Sequence, residues 1–245
     1  MNVSKPMMDT QLQAQLFLAD QRGCSQFDYF RSYHCFSFGQ YVDEHKLPFG
    51  ALQVLNDDTL TAGNRIRMQV ESTTDVVILP IVGGLEYKSS LGDGFLEAGQ
   101  AQLFSLASSM DYEIINPYET DLINFIQIWL TNNSSDFTPG LRQTRFDLSD
   151  KNKLLPAFSI NENALRSRGF IGKFDGREDG IYKLENPETN GVFVFVLNGV
   201  FEVQDRLLHE RDGLSLMNVQ EPAVEFEALS NDAILLLLEI PLHRK

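Results

Sequence analysis

An all-β protein made of two similar halves is the fold this sequence predicts, and three observations lead there. Short runs rich in β-branched and aromatic residues recur between turn signals, sustained helical periodicity is scarce, and the strand pattern of the first half returns in the second. The clearest expected strands are 75–82, 84–88, 122–130, 191–197, 200–204 and 233–240. Leu91-Gly92-Asp93-Gly94, Asn198-Gly199 and Arg211-Asp212-Gly213 supply the turns between strands, because glycine reaches backbone conformations that side chains forbid.

The repeat is visible in three landmarks taken in order. A buried run from Val76 ends at Gly83 and restarts as a strand carrying Glu86; a run from Phe193 ends at Gly199 and restarts with Glu202. Each copy then meets a glycine turn, Gly99 or Gly213, and closes on an apolar strand, 122–130 or 233–240. Between the copies, Asn132-Asn133-Ser134-Ser135 and Thr138-Pro139-Gly140 interrupt the strand pattern. The expected organisation is therefore an N-terminal unit over 1–135, a linker over 136–153 and a C-terminal unit over 154–245.

Composition narrows the function classes. Apolar residues make up 43% of the 245 and charged residues 22%, the balance of a chain that buries a core. The 18 Phe and 7 Tyr suit sheet interiors. A net charge of −14 repels phosphate backbones and anionic lipid, so direct nucleic-acid and membrane partners are not expected. A small molecule or a basic protein remains as partner. Two cysteines, Cys24 and Cys35, are too few for a disulfide framework. The start lacks the pattern of a secretory signal, and no apolar run approaches the length of a membrane span, so a cytoplasmic location is expected.

The segment Ala19-Asp20-Gln21-Arg22-Gly23, the run from Tyr33-His34 through Phe36-Ser37-Phe38-Gly39, and Phe49-Gly50 through Asn56-Asp57-Asp58 resemble the opening of pirins. Gly83-Gly84-Leu85-Glu86 through Gly94, Asn116-Pro117, Gln127-Ile128-Trp129 and Thr138-Pro139-Gly140 resemble later landmarks of the same family. The resemblance implies a bicupin, with two antiparallel, jelly-roll-like cupin β-barrels packed face to face. It also implies an N-terminal metal held by three histidines and a glutamate. Some members oxidise flavonols such as quercetin, and others act as transcriptional cofactors.

Carried onto this chain, the metal positions fall on Gln69, Glu71, Tyr112 and Ile114, none of which matches the family residue. Gln69 is a weak neutral ligand, Glu71 a good one, Tyr112 serves iron only in special sites and Ile114 has no donor atom. No metal or other cofactor is therefore expected. These four positions are the expected pocket, with Glu71 and Tyr112 as the catalytic candidates. Alternation in 65–71 offers two orientations. The family register turns Gln69 and Glu71 inward, whereas the apolar residues Ile66, Met68 and Val70 would form the core face in the other. The matched hairpin from Gly83 to Gly94 anchors the register, so Gln69 and Glu71 are expected to face inward.

Other candidates are thinner. His34 reads as a hydrogen-bonded structural histidine, His45 and His209 as loop residues and His243 as part of the tail. Asp43-Glu44 and Asp57-Asp58 could supply a general acid and base, but both lie in expected loops and read more simply as solvated turn residues. Phosphate-loop, nucleophile-elbow and dinucleotide motifs are absent from the sequence. The functional expectation is a small-molecule-binding or regulatory protein without the family metal. The alternative is an enzyme with a remodelled pocket, either quercetin-dioxygenase-like or metal-independent with a desolvated Glu71 as general base.

Overall fold

Alternating apolar and polar residues write nearly all of this chain as strand. A computed structural model describes residues 11–162, 165–219 and 223–242, and no α-helix occurs among them. His243 lies outside the described residues. The chain opens with β1 (Gln13–Phe17), β2 (Gly23–Gln26), β3 (Phe30–His34) and β4 (Leu52–Leu60). It continues with β5 (Arg65–Gln69), β6 (Thr74–Val82), β7 (Leu85–Ser89) and β8 (Gly92–Leu96). Next come β9 (Gln100–Leu106), β10 (Asp111–Ile115), β11 (Ile123–Thr131) and β12 (Gly140–Arg145). The second half holds β13 (Leu155–Glu162), β14 (Leu165–Phe174), β15 (Asp179–Lys183) and β16 (Asn190–Asn198). It closes with β17 (Phe201–Val203), β18 (Arg206–Leu208), β19 (Gly213–Met217), β20 (Ala223–Ala228) and β21 (Ala233–Pro241).

Every pairing among these strands is antiparallel, and the described strands form four sheets. A large sheet in the order β12-β9-β6-β11-β4-β3-β2 faces a small one, β5-β10-β7-β8. In the second half, β1-β19-β16-β21-β14-β13 faces β15-β20-β17-β18. Tyr112, Ile114, Phe104, Phe125 and Ile78 fill the first sandwich. Phe174, Phe201, Phe226, Val194 and Leu237 fill the second. Between the two large sheets lies a third apolar layer that includes Leu55, Ile126, Ile128, Phe158, Phe193 and Leu238. The halves therefore meet face to face through their large sheets, as aligned sheets do.

The repeated glycines have a backbone reason. Gly83 after β6 and Gly199 after β16 both hold positive φ, at 73° and 79°, a region that favours glycine. Each lets the chain leave the large sheet and cross to the small one.

The sheets cross the sequence boundary in two places. β1 belongs to the 1–135 segment but pairs along its length with β19 of the second half. Gly140–Arg145, within the expected linker 136–153, is instead a strand that pairs with β9 and forms the edge of the first large sheet. Both exchanges give unpaired strand edges a partner, and an open edge is costly to leave exposed.

Candidate functional site

The interior of the first sandwich is where the family positions were expected to converge, and only half of them arrive. β10 lies between β5 and β7 in the small sheet, with Tyr112 opposite Met68 and Ser89, and Ile114 opposite Ile66 and Tyr87. Tyr112 and Ile114 point inward and are fully buried. Gln69 and Glu71 do not join them. Both are exposed, on the outer side with Arg65 and Arg67. Gln69 donates to the Ser109 carbonyl, and the Glu71 carbonyl accepts from Ser108 Oγ.

This corrects the expected inward orientation of Gln69 and Glu71. Ile66 and Val70 are buried and Met68 is partly so. Turning the strand over would bury two guanidiniums and a carboxylate in exchange for exposing three apolar side chains. On the outside, Arg67 pairs with Asp111 at 2.5 Å and Arg65 with Glu113 at 4.0 Å. Glu71 is thus not desolvated, and the general-base argument built on its burial fails with the orientation.

What surrounds Tyr112 is a polar chain that crosses the sandwich. Trp129 Nε1 donates to the Tyr112 hydroxyl at 3.0 Å. That hydroxyl donates to Gln127 Oε1, and Gln127 Nε2 donates to Asp58 Oδ2 in two short hydrogen bonds. The Tyr112 ring stacks on Phe104 with centroids 5.3 Å apart. Burial holds its phenol well above the ordinary value, so it is a neutral donor. Its hydroxyl is committed both as donor and as acceptor.

Asp58 corrects another expectation, because Asp57-Asp58 is not a solvated turn. Both residues lie within β4 and are buried. Asp58 faces the sandwich interior, and its Oδ1 has no hydrogen-bond partner. Burial pushes its carboxyl up to about 7; the Ser32 and Gln127 side chains pull downward against this, and Asp57 adds to the rise. The Ser32 hydroxyl is near enough to matter electrostatically but does not reach Oδ1 in bonding geometry. Asp57 faces the other way, into the layer between the halves. There it meets Arg22 at 3.2 Å, Asn124 Nδ2 at 2.7 Å and Arg211 at 3.7 Å.

Sequence reasoning set Asp58 aside as a turn residue and did not assign Gln127 and Trp129 a place in the site. The signal was present but weak: Asp58 alternates with Val54, Asn56 and Leu60 on one side of a strand, where a carboxylate between apolar positions is uncommon. His34 was read as a hydrogen-bonded structural histidine, and it is indeed buried with hydrogen-bond partners on both ring nitrogens. His45 is exposed in its loop.

A metal of the family type needs three or four N/O donors converging near 2 Å. Two of the four positions point away, one has no donor atom and the last is already hydrogen-bonded, so these residues do not fit such a group. Among the described residues, no group of three or more His, Cys, Asp or Glu side chains is placed to hold a metal ion.

Comparison with known proteins places the fold. Residues 158–240 match a family described as "Quercetinase C-terminal cupin domain". Over 228 residues the chain is 24% identical to quercetin 2,3-dioxygenase of Escherichia coli K12, covering 91% of this chain and 96% of that one. The crystal structure of YhhW from Escherichia coli superposes with a TM-score of 0.82 at 22% identity, covering 95% of this chain and all (100%) of the other. The chain has the cupin fold and is similar to pirins. The same bacterial pirin, YhhW, solved in complex with nickel(II), superposes with a TM-score of 0.81 at 21% identity. The antiparallel sandwiches of this pirin-like chain and their face-to-face contact agree with the cupin arrangement that the pirin resemblance implied, while the strand pattern and repeat had indicated a duplicated all-β fold.

Proposed function

We propose that this pirin-like cupin works by binding rather than by the metal-dependent oxidation named for its relatives. The observation that carries the reading is the interior of the first sandwich. Where the family resemblance puts a third histidine and a glutamate, this chain has a Tyr112 hydroxyl tied to Gln127 and Trp129, and the apolar Ile114. Gln69 and Glu71, the remaining two positions, face solvent and offer nothing to that interior.

The binding role has a place to reside. A cavity of about 410 Å³ opens in the second half, walled by Leu154, Phe170, Phe174, Ile181, Tyr182 and Phe226. Its size is that of a small-ligand site, and Asn152, Lys153 and Asp179 add polar groups to the apolar wall. The excess negative charge of the chain favours neutral or cationic ligands over anions.

Metal content decides the first part. Untagged protein purified without chelators, then offered iron, nickel and zinc, is expected to carry well under one equivalent by mass spectrometry and not to consume quercetin. One metal per chain, with quercetin turnover that follows loading, would overturn the reading. For the second part, thermal-shift screening with small aromatic compounds is expected to give stabilisation that Phe170→Ala reduces.

A further inference from the structure

A second constellation in the first half stands apart from the four family positions. β2, β3 and β4 are neighbours at one edge of the large sheet. His34 lies opposite Asn56 on one side and Gly23 on the other, so Ser25, paired with Ser32, is diagonal to the histidine on the same inward side. Ser25 Oγ is 2.9 Å from His34 Nε2, and His34 Nδ1 is 2.9 Å from Asn56 Oδ1.

The protons in this chain follow from its chemistry. An amide oxygen only accepts, so Nδ1 carries the hydrogen and Nε2 offers its lone pair to the Ser25 hydroxyl. Burial lowers the His34 pKa below its ordinary 6.5, the Asn56 bond raises it, and Arg22 lowers it further, leaving a neutral imidazole near pH 7. The groups around the ring are Ser25 from β2, Ser32 from β3, Asn56 from β4, and Phe38 and Tyr41 from the loop that follows β3, with Arg22 the charged group that acts on it. His34 is sealed, whereas Ser25 is half-buried on β2, the outermost strand of its sheet. A hydroxyl on a base that a third group orients is the arrangement that activates serine nucleophiles.

We propose that Ser25 is an acyl-accepting nucleophile with His34 as its general base and Asn56 as the positioning residue, acting on neutral esters of small apolar acids. Ser25 Oγ bonds to the ester carbonyl carbon while His34 Nε2 takes the hydroxyl proton. The bond from that carbon to the leaving alcohol breaks, and His34 returns the proton to the alcohol oxygen. Water then repeats the sequence, releasing the acid and restoring Ser25, with no oxidant or metal required. Two features set the substrate class. The net charge of −14 repels anionic esters. Phe27 and Tyr29, 58% and 44% exposed in the β2–β3 turn two and four residues after Ser25, offer apolar surface to an acyl group. The inference does not rest on the binding role proposed above.

The test is a serine-directed fluorophosphonate on the intact protein, with the labelled residue mapped by mass spectrometry. Labelling is expected at Ser25, lost in Ser25→Ala at an unchanged unfolding temperature, and about 100-fold slower in His34→Gln. Hydrolysis of p-nitrophenyl acetate should rise with pH through an inflection below 6.5. Asn56→Asp should move that inflection upward, because a carboxylate stabilises imidazolium; an unmoved inflection would show that the titrating base is not His34 and overturn the proposal. An unlabelled wild type, or equal labelling of Ser25→Ala, overturns the proposal.

Discussion

Asp58 is a carboxyl inside a sandwich with one oxygen bonded and the other bare. A pKa near 7 in the folded protein, against an ordinary 3.8, means that the folded state holds the proton more tightly than the unfolded state. Its favourable contribution is complete below the unfolded value and is lost as pH rises toward about 7. Asp58→Asn keeps the shape and removes the titration. Urea unfolding of this variant should show greater stability than wild type at pH 8, by on the order of a few kcal/mol, with the gap closing by pH 4. A constant gap across that range would show that Asp58 is not titrating. His34 has the opposite sign: its lowered pKa favours folding above 6.5, and that contribution is lost as pH falls. The variant is needed to separate the two slopes, because they oppose each other in the wild type.

The strand most exposed to argument at the next scale is β1. It sits at the edge of the second half's large sheet, and four of its five residues are exposed. Phe17 is the exception. Its ring meets Phe36 and Phe193, each at 5.3 Å between centroids, in the layer between the halves. Phe17→Ala should cost about 3–5 kcal/mol in chemical denaturation. Leu16→Ala, one residue earlier and 43% exposed, should change stability by less than about 0.5 kcal/mol. Equal effects would mean that β1 is held by its ladder alone. The strand itself was hard to read, because Gln13-Ala14-Gln15-Leu16-Phe17 carries little β-branched or aromatic signal before its last residue. β12 was hidden for the same reason, since Arg142, Gln143 and Thr144 look like linker. Edge strands are polar by necessity, so composition distinguishes them poorly from loops.

For the whole molecule, the layer between the large sheets makes the two halves interdependent. Phe158, Phe193, Leu236 and Leu238 of the second half are buried against Leu55, Val77, Ile126 and Ile128 of the first. Arg211 reaches across to Asp57 at 3.7 Å. The full chain should therefore unfold in one transition, seen as coincident curves for Trp129 fluorescence and far-ultraviolet circular dichroism. Residues 154–245 expressed alone should be unfolded or aggregated, since they lack β1 and expose that apolar face. A soluble, cooperatively folding 154–245 fragment would show that the interface is dispensable.

The sequence by itself determined the strand class, the duplication and the crossing points of the chain. These depend on local chemistry: Val and Phe runs such as 192–196 suit only buried strands, and Gly83 and Gly199 stand where φ is positive. It also carried the change in donor chemistry at Gln69, Glu71, Tyr112 and Ile114, since residue identity needs no coordinates. Only the tertiary structure decided which way strand 65–69 faces, because a one-residue choice of register exchanges its two sides and only the partner strand β10 fixes it. Likewise, the Asp58–Gln127–Tyr112–Trp129 chain and the Ser25–His34–Asn56 set join residues from different strands. Such contacts come from pairing across the sheets, and one strand's periodicity carries no record of what lies opposite it.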